Sequence, residues 1–409
     1  MNNESRIVVH TGAAHFLTHF YEIVFPSLAI PLMLSLEMSL ADVLKLGFPM
    51  YLLFGITSLP AGLLADRLGN RRSLVVFFAG LGIASITMAC STTPRSMGFS
   101  LALIGLFAGI YHPAGMGLLS GCVKKRGMAL GINGIAGNLG FVTAPFVAGL
   151  MNWAAGWQSV YLVAGIVSLL WGVMLVLTPI DERPVHQDSP AGTGKNANDN
   201  LKYFVVLCAI FTLAGLAYRA NTLVLPAYIE LKADFLWNAL QSIDLPHITG
   251  ASTMAATFLA SIIFGIGMFG QLAGGRLADR HDLRLLYFLF HLISLPFVLL
   301  MGILDQQFLI VAAGLYIFFS LGMQPIENSL VAVFSPARWR STAYGIKFIL
   351  YFGVGSLAVY AVGWIERVRS LSVVYFTMGG IIALFLLMIL YLMVVSRKAQ
   401  ARNVPSPDP

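Results

Sequence analysis

Twelve apolar stretches follow one another along this chain, near residues 7–36, 46–65, 73–92, 97–121, 128–151, 157–179, 201–229, 251–274, 284–304, 307–334, 342–364 and 371–396. Each is long enough to cross ~30 Å of hydrocarbon as a helix. In lipid every backbone amide and carbonyl needs a partner within the protein, which leaves only helix bundles and closed barrels. The stretches are continuous runs of Leu, Ile, Val, Phe, Ala and Gly, whereas a barrel needs short segments of alternating polarity. Helices are therefore predicted. With 58% hydrophobic and 11% charged residues, the chain is too apolar for a water-solvated surface. The predicted fold class is an all-α membrane protein.

The first stretch carries His15, His19 and Glu22 and lacks a small-residue cleavage pattern, so it reads as a retained first helix. Cys90, Cys122 and Cys208 fall in or beside different stretches, without the spacing of a disulfide framework or zinc site. The net charge of +7 would suit nucleic acid if it were clustered, but it sorts by loop. Of 25 Lys and Arg, eighteen lie with the termini and the loops on their side, five lie opposite, and Arg219 and Lys347 lie inside stretches. By the positive-inside rule both termini are cytoplasmic, as in a multi-pass inner-membrane protein, and no nucleic-acid partner is expected.

The sequence repeats at about half its length. Gly62-Leu63-Leu64-Ala65-Asp66-Arg67 recurs as Gly275-Arg276-Leu277-Ala278-Asp279-Arg280, 213 residues later. Arg126-Gly127-Met128-Ala129-Leu130-Gly131-Ile132 parallels Arg340-Ser341-Thr342-Ala343-Tyr344-Gly345-Ile346 at 214, and His112-Pro113 parallels Gln324-Pro325 at 212. Pro26 and Pro226 match at only 200, so the second half carries an insertion, placed around 234–250. Its start, from Asp234 to Leu240, is expected to form a short amphipathic helix on the outer surface. Residues 181–200 are rich in Pro, Gly, Ser and Asn and read as a flexible linker. The predicted domains are 1–180 and 201–409, two six-helix bundles that rock against each other.

The segment from Gly62 through Asp66, Arg67, Gly69, Arg71 and Arg72 resembles the signature loop of the major facilitator superfamily. Within it, His15 through Glu22, Tyr111-His112-Pro113-Ala114-Gly115 and Arg126 through Gly140 are similar to the fosmidomycin-resistance-like branch, mainly over the first half. That branch commonly has an acidic residue shortly after His-Pro, where this chain continues Ala114-Gly115-Met116. The resemblance implies twelve transmembrane helices in two pseudo-symmetric bundles. Helices one, four, seven and ten then line a central cavity and bring Glu22, His112, Arg219 and Glu327 to it. It also implies a conformational latch of Gly62, Asp66, Arg67, Arg71, Gly275, Asp279 and Arg280. Physically, small Gly62 allows close helix approach, while Asp66 is suited to pair with arginines or with the positive end of a helix. Breaking the latch is expected to favour the inward-facing state.

A charge inside a span costs about 2.5–3.5 kcal/mol on insertion scales, so retained charges face a cavity or a partner. Glu22 lies ~22 Å along a helix begun near Ile7, close to mid-membrane. Glu22 and Glu327 are the candidate proton-coupling carboxyls, with His19 and His112 able to share that work. The alternative is that Arg219 or Lys347 neutralises them as structural charges. The guanidinium of Arg219 is suited to grip a carboxylate or phosphonate. His15, Tyr21, Tyr111, Asn133, Asn221, Gln324, Asn328 and Lys347 complete the candidate substrate contacts, although Lys347 is near enough to the interface to snorkel. His19 matches Arg219, His112 matches Gln324 and Asn133 matches Lys347 in the repeat.

His15 and His19, at i and i+4, share a helix face and have metal-ligand spacing, but no second pair accompanies them, so hydrogen bonding in the cavity is expected instead of a metal site. Pro113, Pro226 and Pro325 are expected to interrupt their helices. The run from Gly140 to Gly149 resembles a helix-five motif of drug–proton antiporters, with small-residue packing as the alternative. No phosphate-binding loop is present, which leaves an ion gradient as the energy source and no cofactor. The reading is a monomeric, proton-coupled secondary transporter of a small anionic or amphiphilic solute, not an enzyme, with export favoured. The alternatives are an importer of a metabolite or metal chelate, and a non-transporting sensor.

Overall fold

The computed structural model describes residues 2–183, 197–241, 251–335 and 340–402. Most of the expected linker, 184–196, and the end of the expected insertion, 242–250, lie outside the described residues. Every regular element among the described residues is helical. Eleven helices are long and apolar enough to span a membrane, and the bent pair Asn3–Ser27 and Ala29–Leu36 makes a twelfth. After this first span come Leu40–Leu68, Asn70–Ala89, Pro94–Cys122, Met128–Ala155 and Trp157–Leu177, the second to sixth. Lys202–Lys232, Ala251–Ala278, Leu283–Met301, Gln306–Val331, Ala343–Val368 and Leu371–Val395 are the seventh to twelfth. Of the insertion, Phe235–Gln241 forms the short helix expected there.

The breaks have local causes. The first span bends by 50° just after Pro26, whose missing N–H removes a helical hydrogen bond. The fourth and tenth spans restart at Tyr111 and Gln324, so Pro113 and Pro325 sit in the first turn of a new segment, where the ring is tolerated. Pro226 departs from expectation: it lies inside the unbroken helix Ala197–Lys232, buried among neighbours that hold both arms. The eleventh span loosens into a π-turn at Ile349–Gly353 and a 3-10 turn at Val354–Leu357. There Gly353 meets Gly55 of the second span so closely that a Cβ on Gly55 would lie 2.2 Å from its backbone nitrogen.

The sequence repeat reappears as a packing repeat. The first span packs on the fifth as the seventh packs on the eleventh, the second on the fourth as the eighth on the tenth, and the third on the sixth as the ninth on the twelfth. A Cβ on Gly62 would touch Pro113, and one on Gly275 would touch Pro325. Between the halves the fifth span packs on the eighth and the second on the eleventh, with the first beside the seventh. Large apolar side chains such as Phe99, Leu170, Leu177 and Leu387 lie exposed on the outside, as lipid-facing positions do.

Candidate functional site

Glu22 of the first span meets the second half at Arg219 of the seventh. Glu22 is 4% exposed and Arg219 is fully buried. Arg219 Nη2 donates to Glu22 Oε1 at 2.8 Å, an ion pair between the first and seventh spans. Tyr218 Oη donates to the same oxygen at 3.2 Å, and Tyr51 Oη donates to the Glu22 backbone carbonyl. The guanidinium lies 3.6 Å above the centre of the Tyr51 ring, a stacking that suits a weakly hydrated cation. Arg219 Nε and Nη1 are buried without an acceptor among the described residues.

From Glu22 a chain of contacts runs back through the first half. His19 Nδ1 lies 2.9 Å from Glu22 Oε2, and His15 Nε2 lies 3.1 Å from His19 Nε2. His15 Nδ1 is 2.8 Å from the Asn133 carbonyl, and Tyr111 Oη donates to Asn133 Oδ1 at 2.6 Å. The ring of His112 packs against His15, His19 and Tyr111, and stacks on Phe348 of the second half.

A second pair sits wholly in the second half. Lys347 Nζ lies 2.6 Å from Glu327 Oε1 and donates to Asn328 Oδ1 at 2.6 Å. Tyr287 Oη donates to Glu327 Oε2 at 3.2 Å. Both charges are buried, so Lys347 turns inward and does not snorkel. Tyr351 links the two pairs: it packs on Tyr218 and lies near the Lys347 ammonium. A small cleft behind Tyr218 is lined by His291, Ser294, Tyr316 and Tyr351.

Not every expected contact joins this group. Tyr21 turns away, its hydroxyl 3.1 Å from Ser168 Oγ inside the first half, because a helical step of one residue from Glu22 points to a different face. Asn221 is buried with an unpartnered Oδ1 and makes no hydrogen bond to the group among the described residues. Gln324 belongs to a separate bridge, in which Asn138 Nδ2 donates to Gln271 Oε1 at 2.5 Å and Gln271 Nε2 donates to Gln324 Oε1 at 2.7 Å. Sequence reasoning missed Gln271, Tyr51, Tyr287 and Tyr351. Gln271 was findable as an amide in an apolar stretch, but the tyrosines resemble ordinary core aromatics.

The latch residues also depart from expectation. Asp66, Arg67, Asp279 and Arg280 are exposed, with no ion pair among the described residues. The helix N-terminus beside the loop is held instead by Glu182, which accepts from the backbone N–H of Asn70 and Arg71. Its charge suits the positive helix end, and Gly69 at φ +88° lets the backbone approach it. Arg71 donates to the carbonyls of Leu175 and Val176, which end the sixth span. At the opposite end of the bundle the halves are tied together, where Arg367 bonds Asp42 and Phe48 packs on Tyr360. A Cβ on Gly149 would overlap Thr257 Oγ1, and one on Gly140 would lie 2.3 Å from the Phe16 carbonyl, so both glycines of the helix-five run serve close packing.

A family model described as the Major Facilitator Superfamily matches residues 12–359. The tetracenomycin C resistance and export protein of Streptomyces glaucescens is 29% identical over 155 residues, and the match spans 36% of this chain but only 29% of that protein's length. The 4-hydroxybenzoate transporter PcaK of Pseudomonas aeruginosa is 26% identical over 340 residues, 75% of this chain and 73% of that one. Among solved structures, a bacterial homolog to the human lysosomal transporter Spinster in an inward-facing and occupied conformation is 15% identical, with a TM-score of 0.72 and 100% of both chains covered. A POT family transporter in complex with 5-aminolevulinic acid is 12% identical, with a TM-score of 0.75 over 96% of each chain. At such identities the likeness concerns the fold. A match that starts on the first span and ends on the eleventh, over a packing plan that repeats in both halves, assigns this chain to the Major Facilitator Superfamily.

Proposed function

We propose that this chain is a secondary transporter that moves a small organic anion by alternating access, with the domains 1–180 and 201–409 as the two moving bundles. The observation that carries this reading is Arg219. It is fully buried, it spends one nitrogen on Glu22, and its Nε and Nη1 have no acceptor among the described residues. Unmet donors on a buried guanidinium are costly and call for a planar anion. Tyr51, Tyr218 and, beyond them, Tyr351 form an aromatic wall beside it. A carboxylate on an apolar or aromatic body fits both features, and the likeness to a 4-hydroxybenzoate transporter supports it as a probe.

Glu327 carries the coupling proton in this reading. Ionised, it holds Lys347; protonated, it releases that ammonium toward the centre. Glu22 keeps Arg219 paired between substrates, and a substrate carboxylate then shares the guanidinium with it. His15, Tyr111, Asn133 and Asn328 shape the surroundings. The side bearing Asp66, Asp279 and the termini is cytoplasmic by the charge asymmetry, in a monomer of the inner membrane. The unpaired latch and the tied opposite end then describe an inward-facing state. Export is the favoured direction, because the helix-five run resembles that of antiporters and the resistance and export protein is among the relatives.

The test is uptake into proteoliposomes under an imposed pH gradient, with 4-hydroxybenzoate first and a panel of aliphatic carboxylates beside it. Arg219→Gln is expected to weaken anion binding by roughly 10–100-fold, from the loss of charge-assisted hydrogen bonds. The double variant Glu22→Gln with Arg219→Gln, which leaves no unpaired charge, is expected to fold and still to lack affinity. Unchanged anion affinity in that double variant would overturn the reading.

A further inference from the structure

We propose that His15, His19 and His112 form a site for one divalent first-row transition-metal ion of the zinc class, with the remaining coordination position open to an outside donor. The spacing of His15 and His19 alone does not carry this, and the fold supplies what is missing. One ring nitrogen from each of the three histidines lies within 4.8 Å of the other two. His112 comes from the fourth span, and its Nε2 is buried without a partner.

The hydrogen bonds decide which nitrogens face inward. His15 Nδ1 meets the Asn133 carbonyl and His19 Nδ1 meets the Glu22 carboxylate. A carbonyl and a carboxylate only accept, so each Nδ1 carries the proton and donates. In the neutral ring Nε2 is then a bare lone pair, and the two Nε2 atoms face each other at 3.1 Å. Two lone pairs at that distance repel unless a cation lies between them. A shared proton would satisfy these two nitrogens but leave His112 Nε2 unused, whereas a metal ion uses all three. Tetrahedral zinc with bonds of ~2.05 Å separates its nitrogens by ~3.3 Å, close to the 3.1 Å between the His15 and His19 nitrogens, and His112 has to close in from a separation within 4.8 Å to complete the set.

The outer shell fits as well. Metal-bound imidazoles hand their other N–H to a carboxylate or a backbone carbonyl, which fixes the tautomer and aims the ring. Glu22 and Asn133 do this here, and the Glu22 charge offsets part of the ion's. Three imidazoles select zinc, cobalt, nickel or copper over magnesium and calcium, which take oxygen ligands. His15 and His112 remain partly exposed, so an ion and an outside donor have access.

The test uses the full chain without a polyhistidine tag, purified in detergent and titrated with Co2+ as a spectroscopic probe. One Co2+ per chain is expected, with the visible absorption of a tetrahedral nitrogen site, displaced by Zn2+ and not by excess Mg2+. His112→Asn and His15→Asn are each expected to weaken binding beyond the ~10–100-fold typical of outer-shell changes. His281→Asn, at an exposed histidine outside the site, is expected to bind as the unaltered chain does. Absence of that absorption in the unaltered chain, or full affinity in either ligand variant, would overturn the proposal. Binding is read at equilibrium without flux, so this result stands apart from the transport reading.

Discussion

The two buried ion pairs are built alike and placed differently. Glu22–Arg219 joins the first span to the seventh and so ties one half to the other, whereas Glu327–Lys347 joins the tenth to the eleventh inside one half. In the transport cycle proposed above, a tie across the halves has to accommodate their relative motion, while a pair within one half travels with it. The difference teaches a division of labour within that proposal: the bridging pair responds to what lies between the halves, and the internal pair changes charge without parting them.

The largest expected effect comes from breaking the bridging pair on one side. Arg219→Gln leaves Glu22 buried without its countercharge, a defect of about 3–5 kcal/mol, to be read as a lower unfolding midpoint in detergent. Adding Glu22→Gln is expected to restore most of that stability, since no charge is then stranded. Glu327→Gln sharpens the contrast. It is expected to abolish acceleration by a pH gradient while solute exchange at equal pH continues, and equal loss of both would show that the internal pair is not the coupling site. Smaller is the effect at the far end, where the partly exposed Asp42 holds Arg367 across the halves. Asp42→Asn is expected to shift the balance of the two facing states by up to about fivefold, matching the 0.2–1 kcal/mol of an exposed pair, measured by labelling single cysteines on each side.

The most local effect lies outside the membrane. Asp282 caps the ninth span, and the hydrogen bond from Arg284 holds its carboxyl at about 2. A depressed carboxylate stabilises the fold above its ordinary range, and that contribution fades as pH falls from about 4 toward 2. Asp282→Ala is expected to cost about 1 kcal/mol near neutrality and progressively less as pH falls through that window and below it, seen as converging unfolding midpoints.

Much of this molecule is legible in its sequence. The apolar stretches matched the spans because hydropathy at this length is a local property. The offset near 213 between Asp66 and Asp279 reappeared as the same glycine-to-proline contact in both halves. The intramembrane charges announced themselves, since Glu22, Arg219, Glu327 and Lys347 are too costly to keep without partners. Their pairing was not readable: Glu22 was equally free on paper to meet Lys347, and Asp66 to cap the helix that Glu182 caps.

The sequence by itself determined that the chain spans a membrane as helices, that it is duplicated, and which residues are chemically out of place in lipid. Only the tertiary structure decided that Arg219 keeps two donors unmet, that Tyr21 points away, and that His112 joins His15 and His19. Hydropathy and repeats are written in neighbouring residues. Which face of a helix meets which neighbour depends on rotations of a few tens of degrees, set by packing against residues far away in the sequence.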